Sequence, residues 1–323
     1  ELKHLQTIEF RAPDLGGPIG LNSIIVARDG SELLAVTDIN GGTHVVRRQI
    51  FRYLWARSDY GDRYDISEAE AYPNIFDPDE EDEIVGSTLT LAVGGGYRRG
   101  GRGDLTVAFS DDVLQALRFR HGVRSVRSST ALDLSDLTSL CGLGTNSPSR
   151  LPLGAIARLD RLRGFRGNLL ALCRDPSSDS SIPRVNLQAA VHSGGVYDGH
   201  NFRVFHVESI DHHEPTAVAQ LRNGDIMIAF VRNDGSISLR IGYVKADKLR
   251  DAIVSGGRVD PLIIADLKRR QGFNVGYQTG LAVREDRRSG RIFVYSMSND
   301  FFLANFREDE QPALLTTFEW IPK

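Results

Sequence analysis

The sequence predicts an all-β chain folded into a single β-propeller, and three observations predict it. First, residues 216–221, 226–231 and 237–244 are short apolar or alternating runs, parted by Arg222-Asn223-Gly224-Asp225 and by Asn233-Asp234-Gly235. Period-two runs parted by Asn-Gly and Asp-Gly signals make antiparallel strands joined by hairpins. Second, the unit recurs. Its copies begin near Ser23, Leu89, Gly154, Ala217 and Gly280, at steps of 66, 65, 63 and 63 residues. A fixed period with one supersecondary unit per repeat marks a propeller or a solenoid. Five copies favour five blades, with six as the alternative. Third, residues 7–11 form a lone strand at the start of the chain and residues 314–320 a strand at its end. Pairing the two closes the ring and removes both open sheet edges. Length alone allows two domains, but the even repeat makes residues 1–323 one.

In chain order, the first copy takes residues 20–26 through Asp29-Gly30 into residues 33–38. Residues 45–55 are long and apolar enough for an outer strand. Residues 58–83 are expected to be an acidic surface insertion. They end in Asp77, Asp79, Glu80, Glu81, Asp82 and Glu83, a solvated run whose spacing is not that of a helix-loop-helix calcium site. The second copy takes residues 89–93 through a stretch rich in Gly and Arg, residues 94–103, into residues 105–111. That stretch precedes a strand and not a helix, so it is a long hairpin loop and lacks a helix-terminus anion site. Its arginines, Arg98, Arg99 and Arg102, can still meet an anion or an acidic partner.

Residues 123–134 supply an outer strand, and residues 135–152 are irregular, with a turn at Asn146-Ser147-Pro148. The third copy joins residues 154–159 to 169–175 through Arg163-Gly164. Residues 175–181 are a loop by composition, and residues 202–209 alternate as a strand. The fourth copy spans residues 216–233. A short helix is expected over residues 247–253 and a strand over 262–267. The fifth copy joins residues 280–283 to 292–300 through Ser289-Gly290.

Composition narrows the function classes. The chain has 323 residues, 41% hydrophobic and 25% charged, with a net charge of −3. That suffices for a large core, and the near-neutral balance leaves no footprint for nucleic acid or an anionic membrane surface. No apolar run reaches the ~20 residues of a membrane-spanning helix. The chain opens on Glu1 and not Met, as expected of a processed or trimmed chain. Cys141 and Cys173 fit one disulfide or two buried thiols, and they are too few for a zinc site.

Two groups of residues carry candidate chemistry. His206, His212 and His213 lie near Asp211 and Glu214, residue types that bind metals. No two of these histidines share a ligand spacing on one element, so corner histidines are the preferred reading. The stronger group follows from the repeat itself, because each second strand ends in an Asp or Asn. A propeller brings such ends together around one axis. The axis candidates are Asp38, Asp111, Asp112, Arg174, Asp175, Arg232, Asn299 and Asp300.

Residues 215–232, from Pro215-Thr216 through Asn223-Gly224 to Val231-Arg232, resemble a hallmark of the phytase-like family, also described by the esterase-like activity of phytase. There a Pro-Thr-x-x-Ala stretch is followed by a Gly turn, an apolar strand and a Glu-Arg end. Thr279-Gly280-Leu281-Ala282, Ser298-Asn299-Asp300-Phe301 and the closing strand at 314–318 are similar to that family's C-terminal motifs. Gly20-Leu21-Asn22-Ser23 with Thr37-Asp38 is similar to its N-terminal pair. The resemblance covers nearly the whole chain. It implies an extracytoplasmic propeller (secreted, periplasmic, or in an organelle lumen such as the thylakoid lumen) with a polar site at one end of the axis.

The chain departs from the family pattern at its acids. Thr279 and Gly154 stand where the family has Glu before an inner strand, Val231 replaces the Glu of the Glu-Arg end, and Ser110-Asp111 replaces a strand-end Glu. Hydrolysis by metal-bound water needs several carboxylates on one cation. The expected function is therefore a non-catalytic binding or structural subunit with protein partners in a larger assembly. The alternative is a calcium-dependent phosphoester or ester hydrolase, with Asp38, Asp111 and Asp300 holding the calcium and arginines holding the phosphate. No Gly-x-Ser-x-Gly elbow is present to support serine-esterase chemistry.

Overall fold

A computed structural model describes residues 1–10, 19–40, 45–57, 64–71, 84–85, 89–95, 97–100, 102–110, 114–122, 129–134, 140–141, 153–176, 191–198, 201–232, 237–271, 273, 275–299 and 313–322. The architecture is all-β, in five separate sheets whose main ladders are antiparallel. Strand β1 (Leu2–Phe10) comes first in the chain. The first sheet runs β2 (Ile19–Val26), β3 (Glu32–Asn40), β4 (Val45–Arg57), β5 (Tyr64–Ala71), with β6 (Ile84–Val85) on the other end of β4. The second runs β7 (Leu89–Gly95), β8 (Leu105–Ser110), β9 (Leu114–Phe119), β10 (Ser129–Asp133). The third runs β11 (Leu153–Leu159), β12 (Asn168–Pro176), β13 (Val191–Tyr197), β14 (Phe202–Glu208). The fourth begins β15 (Glu214–Gln220), β16 (Ile226–Arg232), β17 (Ser238–Val244). A helix, α1 (Ala246–Ser255), and strand β18 (Arg258–Val259) intervene before its last strand, β19 (Leu262–Lys268). The fifth runs β20 (Tyr277–Glu285), β21 (Ile292–Asn299), β22 (Ala313–Trp320) and ends on β1.

Two pairings join distant parts of the chain. Strand β1 pairs antiparallel with β22, Leu2 facing Trp320 and Glu9 facing Leu314, so the first strand of the chain completes the last sheet. Strand β18, from the chain between β17 and β19, joins the third sheet as its fifth strand and pairs in parallel with β14, His206 facing Arg258. The first strands touch in a closed circuit: β2 meets β7, β7 meets β11, β11 meets β15, β15 meets β20, and β20 returns to β2.

The core lies between neighbouring sheets. Leu170, Leu172 and Phe205 meet Val218, Ile228 and Phe230 between the third and fourth. Met227, Leu239 and Ile241 meet Tyr277, Val294 and Phe318 between the fourth and fifth. Tyr295, Met297 and Leu315 meet Ile24, Leu33 and Ala35 between the fifth and first. Ala116 and Leu134 meet Ile156, Leu169 and Ala171 between the second and third. Inner strands are thus covered on both faces, and residues 226–231 of β16 are all buried. Burial on both faces needs an unbroken apolar run instead of alternation. Each such large side chain contributes about 1.5–3 kcal/mol when fully buried.

Residues 58–83 are not one loop. Tyr64–Ala71 is the fourth strand of the first sheet, with Arg52 facing Glu70 and Ala56 facing Asp65 in its pairing with β4. Acidic residues are ordinary on an edge strand, where they discourage pairing with another chain. The acidic run at 77–83 lies outside the described residues. Cys141 and Cys173 form a disulfide, with Cα atoms 5.3 Å apart, tying the segment after β10 to β12.

Candidate functional site

The sequence placed its candidates at the ends of the second strands, and the structure describes some of them. Asp38 sits in β3, facing Gly20 on one side and Arg48 on the other. Asp175 is the next-to-last residue of β12, and Asn299 the last of β21. The described residues give the backbone of these three and not their side chains. Asp111, Asp112 and Asp300 lie outside the described residues. Arg174 is buried in β12, and its Nε lies 3.5 Å from Oε2 of Glu214 at the start of β15. Arg232 closes β16 opposite Ser238. Arg174 and Glu214 therefore join the third and fourth sheets at the strand-end side.

Of the candidate histidines, His213 is held in a structural role. Nδ1 of His213 lies 3.0 Å from the carbonyl oxygens of Ile210 and Asp211, and Nε2 lies 2.9 Å from Oγ of Ser238. Burial lowers the His213 pKa, which favours the neutral ring those contacts need. Among the described residues, no three His, Cys, Asp or Glu side chains gather as metal ligands.

Among the described residues, a concave site lies at the opposite end, where the first strands turn back. A cavity of about 1180 Å³ is lined from all five sheets. Its walls are the ends of the first strands, including Ile24, Val26, Ala157, Val218 and Ala282, and its mouth is made of the hairpin turns. Those turns share one design. In the first sheet Ala27 N–H donates to Glu32 at 2.9 Å, and Arg28 is the next residue. In the fourth Leu221 N–H donates to Asp225 at 2.8 Å, and Arg222 follows. In the fifth Asp286 N–H donates to Arg291 at 2.9 Å, and Arg287 follows. Arg161 follows the end of β11, and Arg98 pairs with Arg102 across the tip of the second sheet's hairpin. Glycines with left-handed backbone close the turns, φ 74° at Gly30 and 95° at Gly224, a conformation that costs other residues energy.

Each sheet therefore presents an arginine at the same place: Arg28, Arg98, Arg161, Arg222 and Arg287. All five are exposed, and among the described residues none of these guanidinium groups pairs with a carboxylate. They act on one another. Partial desolvation and the charges of Arg161, Arg98, Arg287 and Arg222 lower the pKa of Arg28. The cavity lining holds eleven arginines against four carboxylates and has no lysine. The whole chain carries −3, so this concentration of positive charge is local.

The carboxylates that are present hold the frame. Asp104 binds Nε and Nη2 of Arg118 at 3.0 and 2.7 Å and Nη2 of Arg158 at 2.8 Å, so one carboxylate links the second sheet to the third. Partial burial works against its charge, but those two guanidinium groups outweigh it and hold the Asp104 carboxyl well below the usual range. Asp160 lies 3.0 Å from Nε of Arg158, and burial raises its pKa. Glu285 accepts from the backbone N–H of Arg222 at 2.5 Å. Glu32, fully buried in β3, accepts from Tyr97 Oη at 2.9 Å and from the N–H of Gly100, anchoring the tip that bears Arg98 and Arg99.

The expected axis candidates sit at one end of each hairpin, and the turn arginines sit at the other. The signal for the other end was present: every repeat carries Arg within the turn its Gly closes, and the cluster at residues 94–103 was its densest copy.

No protein-family profile matches the chain, and no curated protein matches it. Among solved structures, it is similar to the β-xylosidase RS223, at 10% identity and TM-score 0.44 over 100% of this chain and 96% of that one. It is similar to the tail fiber of Staphylococcus aureus phage P68, at 9% identity and TM-score 0.44 over 99% of this chain and 52% of that one. It is also similar to the Trypanosoma rangeli sialidase, at 9% identity and TM-score 0.41 over 94% of this chain and 45% of that one. The chain spans about half the length of the tail fiber and of the sialidase. At these scores the likenesses say nothing of substrate or chemistry.

Proposed function

We propose that the chain is a five-bladed propeller that binds an anionic ligand in its arginine-lined axial cavity. Five sheets, the closed circuit of their first strands and the pairing of β1 with β22 support the five-bladed reading. The observation that carries the binding reading is the arginine repeated in the first turn of each sheet: four of the five, Arg28, Arg98, Arg161 and Arg222, line one cavity, and among the described residues none of them has a carboxylate partner. Guanidinium forks recognise phosphate or carboxylate oxygens in bidentate geometry, and at neutral pH they stay charged. They bind an anion without taking or giving its proton, which favours binding over turnover. The phytase-like resemblance and an extracytoplasmic setting belong to the same proposal.

The test is a thermal unfolding series in sodium chloride, sulfate and phosphate at matched ionic strength. The expected result is a phosphate-dependent rise in Tm that disappears in Arg28→Ala/Arg161→Ala/Arg222→Ala. An unchanged Tm across all three salts, in protein that binds no phosphate by calorimetry, overturns the reading.

A further inference from the structure

We propose that the ligand is an oligophosphate, a group of two or more linked phosphoryl units held at once by arginines from different sheets. The inference rests on the anion-binding reading and concerns what kind of anion fits.

Three observations carry it. The first is number against valence. One orthophosphate offers four oxygens, enough for about two bidentate guanidinium forks. The mouth presents Arg28, Arg98, Arg161 and Arg222 from four different sheets. A single phosphoryl group satisfies only some of them and leaves the rest repelling one another. A ligand with several phosphoryl units reaches more than one sheet and neutralises charge that the protein itself leaves unbalanced.

The second observation is size. A cavity of about 1180 Å³ greatly exceeds what one phosphate fills, and it is somewhat larger than most pockets that hold small organic ligands, about 300–1,000 Å³. The third is residue choice. The charged cations of the lining are all arginine, and parts of the frame are held in place: Arg158 by Asp104 and Asp160, and the backbone of the Arg98 tip by Glu32 through Tyr97. The planar guanidinium fork of an arginine loses less side-chain freedom for each hydrogen bond it forms than a lysine does. The fixed pairs also form a frame that needs no ligand, which leaves the turn arginines free for one.

The experiment is isothermal titration of the wild-type chain with orthophosphate, pyrophosphate, tripolyphosphate and a hexa-aspartate peptide, each at two salt concentrations. Tripolyphosphate is expected to bind one to one and at least about tenfold more tightly than orthophosphate, with the steeper salt dependence. Arg28→Ala/Arg161→Ala is expected to remove that advantage. Arg28→Lys/Arg161→Lys keeps the charge, removes the fork, and is expected to lose part of it while folding as wild type by circular dichroism. Equal affinity for orthophosphate and tripolyphosphate overturns the oligophosphate inference and leaves the anion reading standing. Hexa-aspartate binding as tightly as tripolyphosphate overturns it in favour of an acidic segment. Absence of binding by all four overturns both.

Discussion

Glu32 accepts a hydrogen bond from Tyr97 Oη at 2.9 Å, and both side chains are buried. Glu32 belongs to the first sheet and Tyr97 to the hairpin of the second, so the contact fixes one arginine-bearing turn against its neighbour. A buried carboxylate deprived of a donor loses part of its solvation substitute. Tyr97→Phe is expected to lower stability by about 1–3 kcal/mol and to weaken anion binding through the displaced Arg98 tip. Urea unfolding and phosphate titration of the variant check both. Unchanged stability removes the anchoring role.

Asp104 is the link between the second and third sheets, and its carboxyl titrates below the ordinary value of 3.8 in the folded chain. A depressed folded pKa means the unfolded chain takes up the proton first as pH falls. The stabilisation is therefore complete above about pH 4 and is lost progressively below it. Asp104→Asn is expected to cost about 1–3 kcal/mol at pH 7 and to flatten the acid limb of a stability profile. A variant whose profile from pH 7 to pH 2 parallels wild type rules the link out as an acid-sensitive contact.

Gly154 stands where the resembling family carries Glu, and the structure explains the glycine by space. A Cβ there lies 2.1 Å from the carbonyl oxygen of Pro215 and 3.2 Å from Cα of Arg174. Backbone atoms cannot turn aside as a side chain can. Gly154→Ala is expected to destabilise by about 1–3 kcal/mol, and Gly154→Glu by more, because overpacking here pushes the third and fourth sheets apart. A carboxylate introduced at position 154 that raised stability or created calcium binding would contradict this close approach.

The Cys141–Cys173 disulfide closes a loop with a sequence separation of 32. In the chain-entropy account a loop of that length contributes about 3–4 kcal/mol, by restricting the unfolded chain. Cys141→Ser/Cys173→Ser is expected to lose most of that in urea unfolding, and reduction of the wild type to give the same loss. Reduction without effect on the midpoint overturns the expectation.

Much of the architecture was legible because it is local and periodic. Turn residues such as Asn223-Gly224 and Ser289-Gly290 punctuate strands whose apolar runs state their burial, and a step near 65 residues repeats the unit. The strand at 64–71 was not legible, because Asp65, Glu68 and Glu70 look like loop composition until backbone pairing with β4 makes it an edge. The candidate site was legible only in pieces. Arg98, Arg99 and Arg102 stood out as a possible anion contact, but Arg28, Arg161, Arg222 and Arg287 were ordinary turn residues when read one at a time.

The sequence by itself determined the two inner strands of each copy, their hairpins, the five copies and the presence of an arginine in each turn, because turn chemistry and hydrophobic period act over a few residues. Only the tertiary structure decided which ends of those hairpins converge on a shared cavity, since that follows from sheets meeting across 60 or more residues of chain. It also decided which arginines Asp104 and Asp160 neutralise and which remain open to an anion. Charge acts through space, and distance in space is what the linear order of residues does not contain.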